Sequence, residues 1–266
     1  MNRTLELFES YIKRRLAYIE NDILREGMLY ALEDGKRIRA KIILAICLDK
    51  GFDPKKAFAH ALALEMIHAY SLVHDDLPCM DNDDYRRGKL SVHKKFGEAN
   101  ALLIGSALLT NAFLLVNASL DEDSLKVKIS KELSFNAGAN GMIKGQIIDI
   151  NEGYVNNLQE VIELFSYKTG ALFKAAFNIS MYIIKDEKNK FNYNKLGELF
   201  GLAFQIQDDL LDSEKSNRSI LNYQNSEECK QTLNTIFDEI NRILKTINLN
   251  NKNLLSLIDL VKEREK

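Results

Sequence analysis

Two short groups of aspartates are the residues of this sequence whose type and spacing could do chemistry. The first, at 74–84, reads HDDLPCMDNDD, and the second, at 207–212, reads QDDLLD. Each follows a long apolar segment, so each is predicted at the carboxyl end of a buried helix, where the helix dipole already disfavours carboxylates. A cation must compensate this charge, and ligands that are all oxygen favour a hard divalent ion such as Mg²⁺.

A solvated acidic loop is an equally good interpretation of either group alone. Two such groups, each after an apolar helix, make that interpretation poor. Glu65 and Glu198 each stand ten residues before an aspartate of these groups, Asp75 and Asp208 respectively. If the two helices face each other, we expect these carboxylates to form an acidic cup that can hold several cations.

Clustered cations elsewhere in the sequence fit a substrate that carries phosphate. The segment GKRIR at 35–39 places three cations in four residues close to a predicted helix start, and Arg86 and Arg87 add two beside the first aspartate group. Arginine forks bind pairs of phosphate oxygens, while lysine acts as a point charge. By itself, the basic group at 35–39 is better interpreted as a solvated helix face. Lys168 differs, because it lies in an otherwise apolar segment where an unpaired lysine is unfavourable, and this favours a functional role.

The elements that position these residues are predicted to be helices. The 266 residues include 13 glycines and 2 prolines, and 46% of them are hydrophobic. Turn-dense sandwiches and barrels, collagen-like repeats and disordered chains need more chain-breaking residues or fewer apolar ones. Asp53 and Pro54 are predicted to start a central helix that is apolar on nearly every face and that Pro78 ends. We therefore expect an all-α chain, a single domain over 1–266, with roughly eight or more helices packed around a few buried ones.

Charge and composition argue against several partners and locations. The net charge of −2 provides no overall field that would attract nucleic acid or an anionic membrane. Cys47, Cys79 and Cys229 lack the spacing of a metal or redox site, which indicates reduced thiols in a cytosolic protein. The amino-terminal segment has no uninterrupted apolar core and is not expected to be a signal peptide. The apolar run 101–116 has polar interruptions and is too short to cross a bilayer, so no membrane span is expected.

Five motifs in a fixed order resemble one family over essentially the whole chain. They are GKRIR (35–39), HDDLPCMDNDDYRRGKLSVH (74–93), GQIIDI (145–150), YKTGALF (167–173) and FQIQDDLLD (204–212). This set resembles the bacterial short-chain trans-prenyltransferases, the farnesyl diphosphate synthases. The resemblance implies the isoprenoid synthase fold, a bundle of about ten helices around a central cavity. It also implies a homodimer and a cytoplasmic enzyme.

The resemblance assigns roles to individual residues by their place in these motifs. Three Mg²⁺ ions per site are implied, with Asp75, Asp81 and Asp208 as direct ligands and with Asp76, Asp209 and Asp212 acting through metal-bound water. The allylic diphosphate would be bound by Arg86, Lys168, Thr169 and Gln205, of which the last three are also the catalytic residues that stabilise the allylic cation. Isopentenyl diphosphate would be bound without metal by Gly35, Lys36, Arg39, His68 and Arg87. Without the resemblance, His68 is better interpreted as a core histidine.

The length of the product is predicted from residues before and within the first aspartate group. Tyr70 lies five residues before Asp75, so its ring is expected to project into the cavity below the growing chain. In the resembled family, a large side chain at this position, here Tyr70 followed by Ser71, accompanies a fifteen-carbon product when the insertion Pro78-Cys79 is also present. The resemblance therefore implies farnesyl diphosphate, made from dimethylallyl diphosphate by two condensations.

Three alternative functions are weighed against this one. A synthase making geranylgeranyl diphosphate is disfavoured by Tyr70 and by the insertion. An HD-type phosphohydrolase would use His60, His68 and the pair His74-Asp75 as metal ligands, but it leaves the second aspartate group and Lys168 unexplained. A regulatory subunit of a heteromeric prenyltransferase is disfavoured by the intact aspartate groups.

The resemblance weakens after Asp212. The family continues there through a loop with a further lysine that helps to cover the allylic diphosphate, and this loop is expected to be shorter here. Lys215 and Arg218 are the candidate replacements for that lysine. Arg264 and Lys266 are the candidates for the basic carboxyl-terminal tail.

Overall fold

The chain is almost entirely helical, which confirms the prediction of an all-α fold. The structure, a computed structural model, describes residues 1–151, 153, 155–211, 218–249 and 251–263. Over these ranges there are thirteen α-helices and one two-stranded hairpin. The helices are α1 (Asn2–Leu16), α2 (Asp22–Leu32), α3 (Ile38–Asp49), α4 (Phe58–Asp75), α5 (Val92–Phe96), α6 (Glu98–Asn117), α7 (Asp123–Ala137), α8 (Met142–Ile150), α9 (Leu158–Phe165), α10 (Ala171–Ile183), α11 (Lys190–Leu211), α12 (Ser226–Thr246) and α13 (Lys252–Lys262). The hairpin consists of β1 (Tyr85–Arg86) and β2 (Lys89–Leu90).

The chain divides into two compact units. The first unit comprises residues 1–44 and 53–130, and the second comprises residues 45–52 and 131–266. Each unit contains its own set of fully buried apolar side chains. The expectation of a single domain over 1–266 stays a prediction.

The first unit is built around α4. Residues 58–67 of this helix are buried on every face, so other helices must surround it. The helix α6 packs along α4, and α2 contacts both. Gly27 of α2 permits a close approach to α6, because a Cβ at this position would lie 2.2 Å from the Cδ1 atom of Ile104.

The start of α4 lies four residues later than the sequence predicts. Asp53 and Pro54 begin a 3₁₀ turn, Pro54–Ala57, and Asp53 caps this turn by accepting a hydrogen bond from the amide of Lys55 at 3.0 Å. The α-helix follows at Phe58.

The end of α4 is held by contact with α6. The Nε2 atom of His74 lies 3.2 Å from the carbonyl oxygen of Leu102. A Cβ on Gly105 would lie 2.3 Å from the same nitrogen, so glycine at this position leaves room for the imidazole. The helix ends one residue later, at Asp75, which places the first aspartate group at its carboxyl end as predicted.

The second unit is built around α10 and α11. Phe173 of α10 packs against Phe200 and Phe204 of α11, with ring centroids 5.1 and 5.2 Å apart. Tilted aromatic pairs at this spacing add to the free energy of apolar burial. The amphipathic helix α12 packs on α11 and starts at a capping box formed by Asn225 and Glu228.

A π-turn at Ser166–Gly170 lies between α9 and α10. Its backbone is in close contact with α8 and α11 through glycines. A Cβ on Gly145 of α8 would lie 2.2 Å from the amide nitrogen of Lys168, and a Cβ on Gly201 of α11 would lie 2.5 Å from the Cα atom of Gly170. Such turns often mark functional sites, and this one carries Lys168 and Thr169.

The helix α6 has 20 residues and is longer than the apolar run 101–116. By length and composition it could cross a membrane, with a mean hydropathy of 1.8 in its most apolar window. Only 39% of that window is buried within the chain. A core helix passes the same test, and α6 packs against α4, so its composition alone is weak support for a membrane span.

Candidate active site

The first aspartate group lies in a tight loop at the end of α4. Asp75 is the last residue of the helix, and the chain turns back within the next six residues so that the amide of Asp81 donates to the backbone carbonyl of Asp75 at 2.9 Å. Asn82 follows in the left-handed region, with a φ of 53°, which asparagine tolerates better than most residues. The turn therefore brings together the backbones of two predicted direct metal ligands.

Asp76 is bound by Arg86 of the hairpin. The Nε atom of Arg86 donates to Oδ1 of Asp76 at 2.9 Å, and its guanidinium also pairs with Asp83 at 3.1 Å. Burial raises the pKa of Asp76, and the bond from Arg86 acts in the opposite direction. Arg86 is thus oriented by two carboxylates at the edge of the aspartate group.

The residues predicted to bind isopentenyl diphosphate come together in the first unit. Arg39 is buried at the start of α3, while Lys36 and Arg87 are exposed. Burial and the guanidiniums of Arg39 and Arg87 lower the pKa of His68 well below its ordinary value. A Cβ on Gly35 would lie 3.2 Å from Nη1 of Arg87. His68 is therefore a neutral ring among cations, and the local excess of positive charge favours an anionic ligand.

Arg37 lies in the middle of this group, with a role that the sequence does not reveal. Its guanidinium is 7% exposed, binds Glu9 through Nε at 2.8 Å and lies 3.9 Å from Glu65. It occupies the space that a side chain at Gly35 would fill, since a Cβ there would lie 2.4 Å from its Nη1 atom. Arg37 and Arg87 have φ values of 55° and 54°, a conformation that is strained for non-glycine residues and that clusters at ligand sites.

Glu65 and Glu198 do not join the aspartate groups, so this part of the predicted acidic cup is wrong. Glu65 is buried and accepts a hydrogen bond from the amide of Ala40 at 2.9 Å, which satisfies a free donor in the first turn of α3. Glu198 pairs with Lys174 at 2.8 Å. Each glutamate is therefore held by a partner within its own unit.

The hairpin that carries Arg86 and Arg87 is fastened to α2 by Tyr30. The hydroxyl of Tyr30 donates to the carbonyl of Leu90 at 2.8 Å, and Lys89 lies over the Tyr30 ring, 4.1 Å from its centroid. Arg87 itself donates to the carbonyl of Glu33 at 3.1 Å. Sequence reasoning missed Tyr30, because its partners lie about sixty residues away and no motif links them.

Tyr70, the predicted determinant of product length, lies on α4 five residues before Asp75. It is 6% exposed, and its ring packs edge-on against His74 with centroids 5.5 Å apart. Ser71 donates from its hydroxyl to the carbonyl of His68 at 3.0 Å, whereas Pro78 and Cys79 are exposed in the loop. The role of these residues in product length stays a prediction.

Lys168 is paired in the second unit with Asp149, the last but one residue of α8. Asp149 also binds Arg218 at 3.2 Å. The sequence marks Lys168 as needing a partner but does not identify Asp149, although that residue belongs to the motif at 145–150. Because two cations share one carboxylate, the group retains positive charge that a phosphate could neutralise.

Thr169, Gln205 and Asp209 form a hydrogen-bonded series in the second unit. Thr169 donates from Oγ1 to Oε1 of Gln205 at 2.8 Å, and Gln205 donates from Nε2 to Oδ1 of Asp209 at 3.3 Å. The other oxygen of Asp209 accepts from the hydroxyl of Ser219 and the amide of Ile220, at 2.9 and 2.8 Å. These bonds fix the orientation of the Gln205 amide.

The described part of the second aspartate group ends with α11, at Leu211. Asp208 lies in its last turn, beside Asp209. Asp212 and Lys215 lie outside the described residues, as do Arg264 and Lys266 at the carboxyl terminus.

The donor set fits Mg²⁺ that binds together with a diphosphate. Among the described residues, no group of three or more His, Cys, Asp and Glu side chains is arranged to hold a metal ion by itself. Mg²⁺ commonly takes one or two protein carboxylates and completes its shell with water and phosphate oxygens.

The histidines of the HD-type alternative do not converge. His60 is buried, and its Nε2 atom lies 2.8 Å from Oδ2 of Asp121, whereas His74 lies against Leu102 and His68 lies among the arginines. A shared metal ion would need at least three of these groups to point to one place. The geometry within the first unit therefore does not support that alternative.

Comparison with known proteins identifies the family. A family model described as polyprenyl synthetase matches residues 21–238. The chain belongs to the polyprenyl synthetase family. A farnesyl diphosphate synthase of Micrococcus luteus is 41% identical over 263 residues, which cover 91% of this chain and 90% of that protein.

Two solved structures of the polyprenyl synthetase family show the same fold. The geranyltranstransferase of Thermotoga maritima has a TM-score of 0.87 at 32% identity and covers 99% of both chains. The geranyltransferase of Helicobacter pylori, complexed with magnesium and isoprenyl diphosphate, has a TM-score of 0.83 at 28% identity and covers 98% of this chain and 95% of that one. The predicted resemblance, the isoprenoid synthase fold and the assignment as a prenyltransferase are confirmed.

Proposed function

We propose that this prenyltransferase condenses isopentenyl diphosphate with dimethylallyl diphosphate and then with geranyl diphosphate, which yields farnesyl diphosphate. The observation that carries the proposal is the cation group around His68, which lies in the same unit as the first aspartates. One unit thus contains an anion site built from protein cations and a carboxylate site suited to metal-bound diphosphate. A chain-elongating enzyme needs both kinds of site, because its two substrates each carry a diphosphate and only one of them must lose it.

Isopentenyl diphosphate is held by the cation group. Lys36, Arg39 and Arg87 supply charge-assisted donors to its phosphate oxygens, and the neutral His68 adds an N–H donor. Arg37 has a different role, because Glu9 and Glu65 already pair with it. It holds the start of α3 in place, and it adds to the electrostatic potential at the site without a direct bond to the phosphate. No metal is needed there, so this diphosphate is retained during the reaction.

The allylic diphosphate is held by the aspartates of both groups through Mg²⁺, three ions in the full complement, together with Arg86 and Lys168. When bound, Mg²⁺ neutralises the charge that develops on the departing diphosphate. Lys168, which pairs with Asp149 in the free protein, donates to a phosphate oxygen when the substrate binds. Arg218, the other partner of Asp149, replaces the lysine of the family's longer loop. Fixed positive groups around the leaving group lower the barrier to ionisation, because they need no reorganisation during the reaction.

The allylic cation left by ionisation is stabilised by oxygen dipoles of the second unit. Thr169 donates a hydrogen bond from its hydroxyl to Gln205, so the lone pairs of the hydroxyl oxygen can face positive charge. The double bond of isopentenyl diphosphate attacks the cation, a carbon–carbon bond forms, and the released diphosphate accepts the proton lost from the adjacent carbon. Water must be excluded throughout, because it would quench the cation.

Farnesyl diphosphate is favoured over geranylgeranyl diphosphate by Tyr70. This buried ring is held in place by His74 on the helix that carries the aspartates, so it can limit the length of a growing chain. The name of the M. luteus relative supports the same product. A homodimer in the cytoplasm, built from single-domain subunits, completes the proposal.

The test is identification of the products made by the purified protein. Isopentenyl and dimethylallyl diphosphates are incubated with the enzyme and Mg²⁺, and the products are hydrolysed and separated by chain length. The proposal expects farnesol as the main alcohol and no elongation in the presence of EDTA. Release of phosphate without elongation would refute the proposal, and a main product of twenty carbons would refute its chain length.

A further inference from the structure

A cavity of the first unit lies near the start of α4, away from the aspartates. Its volume is about 520 Å³, which is within the usual range for small-molecule sites. Ala59 in its wall stands sixteen residues before Asp75 on the same helix, and a rise of 1.5 Å per residue separates the two by about 24 Å. His68, in the proposed isopentenyl diphosphate site, is nine residues from Ala59, or about 14 Å along the same helix, so the cavity is distinct from both diphosphate sites.

Three cations line this cavity. Arg15 comes from α1, and Lys55 and Lys56 come from the 3₁₀ turn before α4. All three are exposed, and none of them is ion-paired within the part of the chain that the structure describes. Exposed, unpaired cations converging on one cavity create a local positive potential that attracts anions.

The carboxylate in the cavity wall is already engaged. Oδ2 of Asp121 lies 2.8 Å from Nε2 of His60, a residue that is fully buried. Burial lowers the pKa of His60, so the ring is neutral near pH 7 and donates its N–H to Asp121. This bond holds Asp121 in the wall.

The cavity also offers hydroxyls and an apolar surface. Oγ of Ser119 is buried and has no hydrogen-bond partner among the described residues, and Tyr11 packs its ring on Phe58 in the same wall. Leu115 and Leu120 add aliphatic surface, and the side chain of Leu120 is fully exposed at the rim. A ligand that fills this cavity would therefore meet cations, a free hydroxyl and hydrocarbon.

We propose that this cavity binds a small amphiphile with a phosphate or diphosphate headgroup. The headgroup lies on Arg15, Lys55 and Lys56 and accepts a hydrogen bond from Ser119. The hydrocarbon part lies against Leu115 and Leu120. The proposal does not depend on the enzyme's reaction, because none of these residues belongs to the diphosphate sites described above.

The test is a lysine footprint, which reports each site separately. The full-length protein in EDTA is acylated briefly with an amine-reactive reagent, and the modification of each lysine is measured by peptide mass spectrometry. Farnesyl diphosphate is the amphiphilic probe, inorganic diphosphate is the headgroup alone, and vesicles of anionic phospholipid are the membrane probe. Lys13, exposed on α1 but outside the cavity, is the internal control.

The proposal expects farnesyl diphosphate to slow modification of Lys55 and Lys56 by about fivefold, with Lys13 unchanged. Arg15→Gln should raise the concentration of farnesyl diphosphate that gives half-maximal protection by about tenfold, because it removes one charge-assisted contact. Lys55→Gln, with Lys56 as the reporter, should raise this concentration by about the same factor. Ser119→Ala should raise it by about threefold. Lys13→Gln is the matched charge control and should have no effect.

Three outcomes would overturn the proposal. Equal protection by inorganic diphosphate would show that the hydrocarbon part has no role. Protection by vesicles alone would show a membrane-binding surface instead of a small-molecule site. Unchanged modification of Lys55 and Lys56 with every probe would show that the cavity binds no phosphate.

Discussion

Replacing Gly201 with alanine should disable the residues proposed as catalytic in the second unit while the chain still folds. The Cβ atom that this change adds would lie 2.5 Å from the Cα atom of Gly170, in the π-turn that carries Lys168 and Thr169. Carbon atoms in contact are separated by about 3.5–4.0 Å, so the turn and α11 must move apart by about 1 Å or more. The bond from Thr169 to Gln205, now 2.8 Å, would then exceed hydrogen-bonding distance.

The expected magnitudes follow from that displacement. Overpacking by one methyl group destabilises a core by about 1–3 kcal/mol. For a chain of this size, each kcal/mol lowers the melting temperature by about 2–4 °C, so a total fall of about 2–12 °C is expected. A misplacement of 1 Å at reacting groups lowers the rate by about 10²-fold, so kcat should fall far more than the stability loss explains.

The assay pairs melting temperature with steady-state kinetics, and the chain offers a matched control. A Cβ on Gly170 would meet only the carbonyl oxygen of Phe165, at 3.4 Å, so Gly170→Ala adds the same methyl group to the π-turn without a clash with α11. That variant should keep most of its activity. Wild-type kcat and melting temperature in Gly201→Ala would refute the reasoning, and so would equal losses in both variants.

Three further predictions address the first unit. Tyr70→Ala should lengthen the main product beyond fifteen carbons, because it removes a buried ring fixed against His74; an unchanged product by chromatography would contradict this role. Tyr30→Phe should raise the KM for isopentenyl diphosphate by about two- to tenfold with little change in kcat, because the hairpin loses one hydrogen bond, whereas Tyr18→Phe at an 81% exposed position should change nothing. Because the pKa of His68 is lowered in the folded protein, its ring stays neutral while the unfolded chain takes up a proton below pH 6.5. The urea midpoint should therefore fall as the pH drops from 7 to 5.5, and His68→Gln should fall less; equal slopes would refute this assignment.

The fold and the location of the aspartates could be predicted because they depend on local patterns. The segment around α4 is apolar on nearly every face, and this pattern is sufficient to identify a buried helix with aspartates at its end. The observed start of that helix lies one turn after the predicted start, because proline after an N-cap residue suits a 3₁₀ turn as well as an α-helix. The π-turn at 166–170 was missed, because its cause is the close approach of Gly145 and Gly201 from elements distant in sequence.

The partners of the site residues were harder to predict than the residues themselves. The sequence shows that Lys168 needs a partner, but Asp149 becomes that partner only when α8 packs on the π-turn. Glu65 was expected to join the metal-binding carboxylates from its spacing alone. Tertiary structure instead places it against the first turn of α3, where it accepts a hydrogen bond from the amide of Ala40 and pairs with Arg37. Spacing along one helix therefore predicts a shared face but not what that face meets.

The central claim is that both aspartate groups serve the same chemical step. A double-mutant cycle with Asp75→Asn and Asp208→Asn, scored by kcat/KM at saturating Mg²⁺ and by circular dichroism for folding, tests it most directly. If both carboxylates stabilise one departing diphosphate, each single change should lower kcat/KM by about 10²-fold or more, and the double change should cost much less than the product of the two. Fully multiplicative losses, or a single variant with wild-type kcat/KM, would contradict the claim.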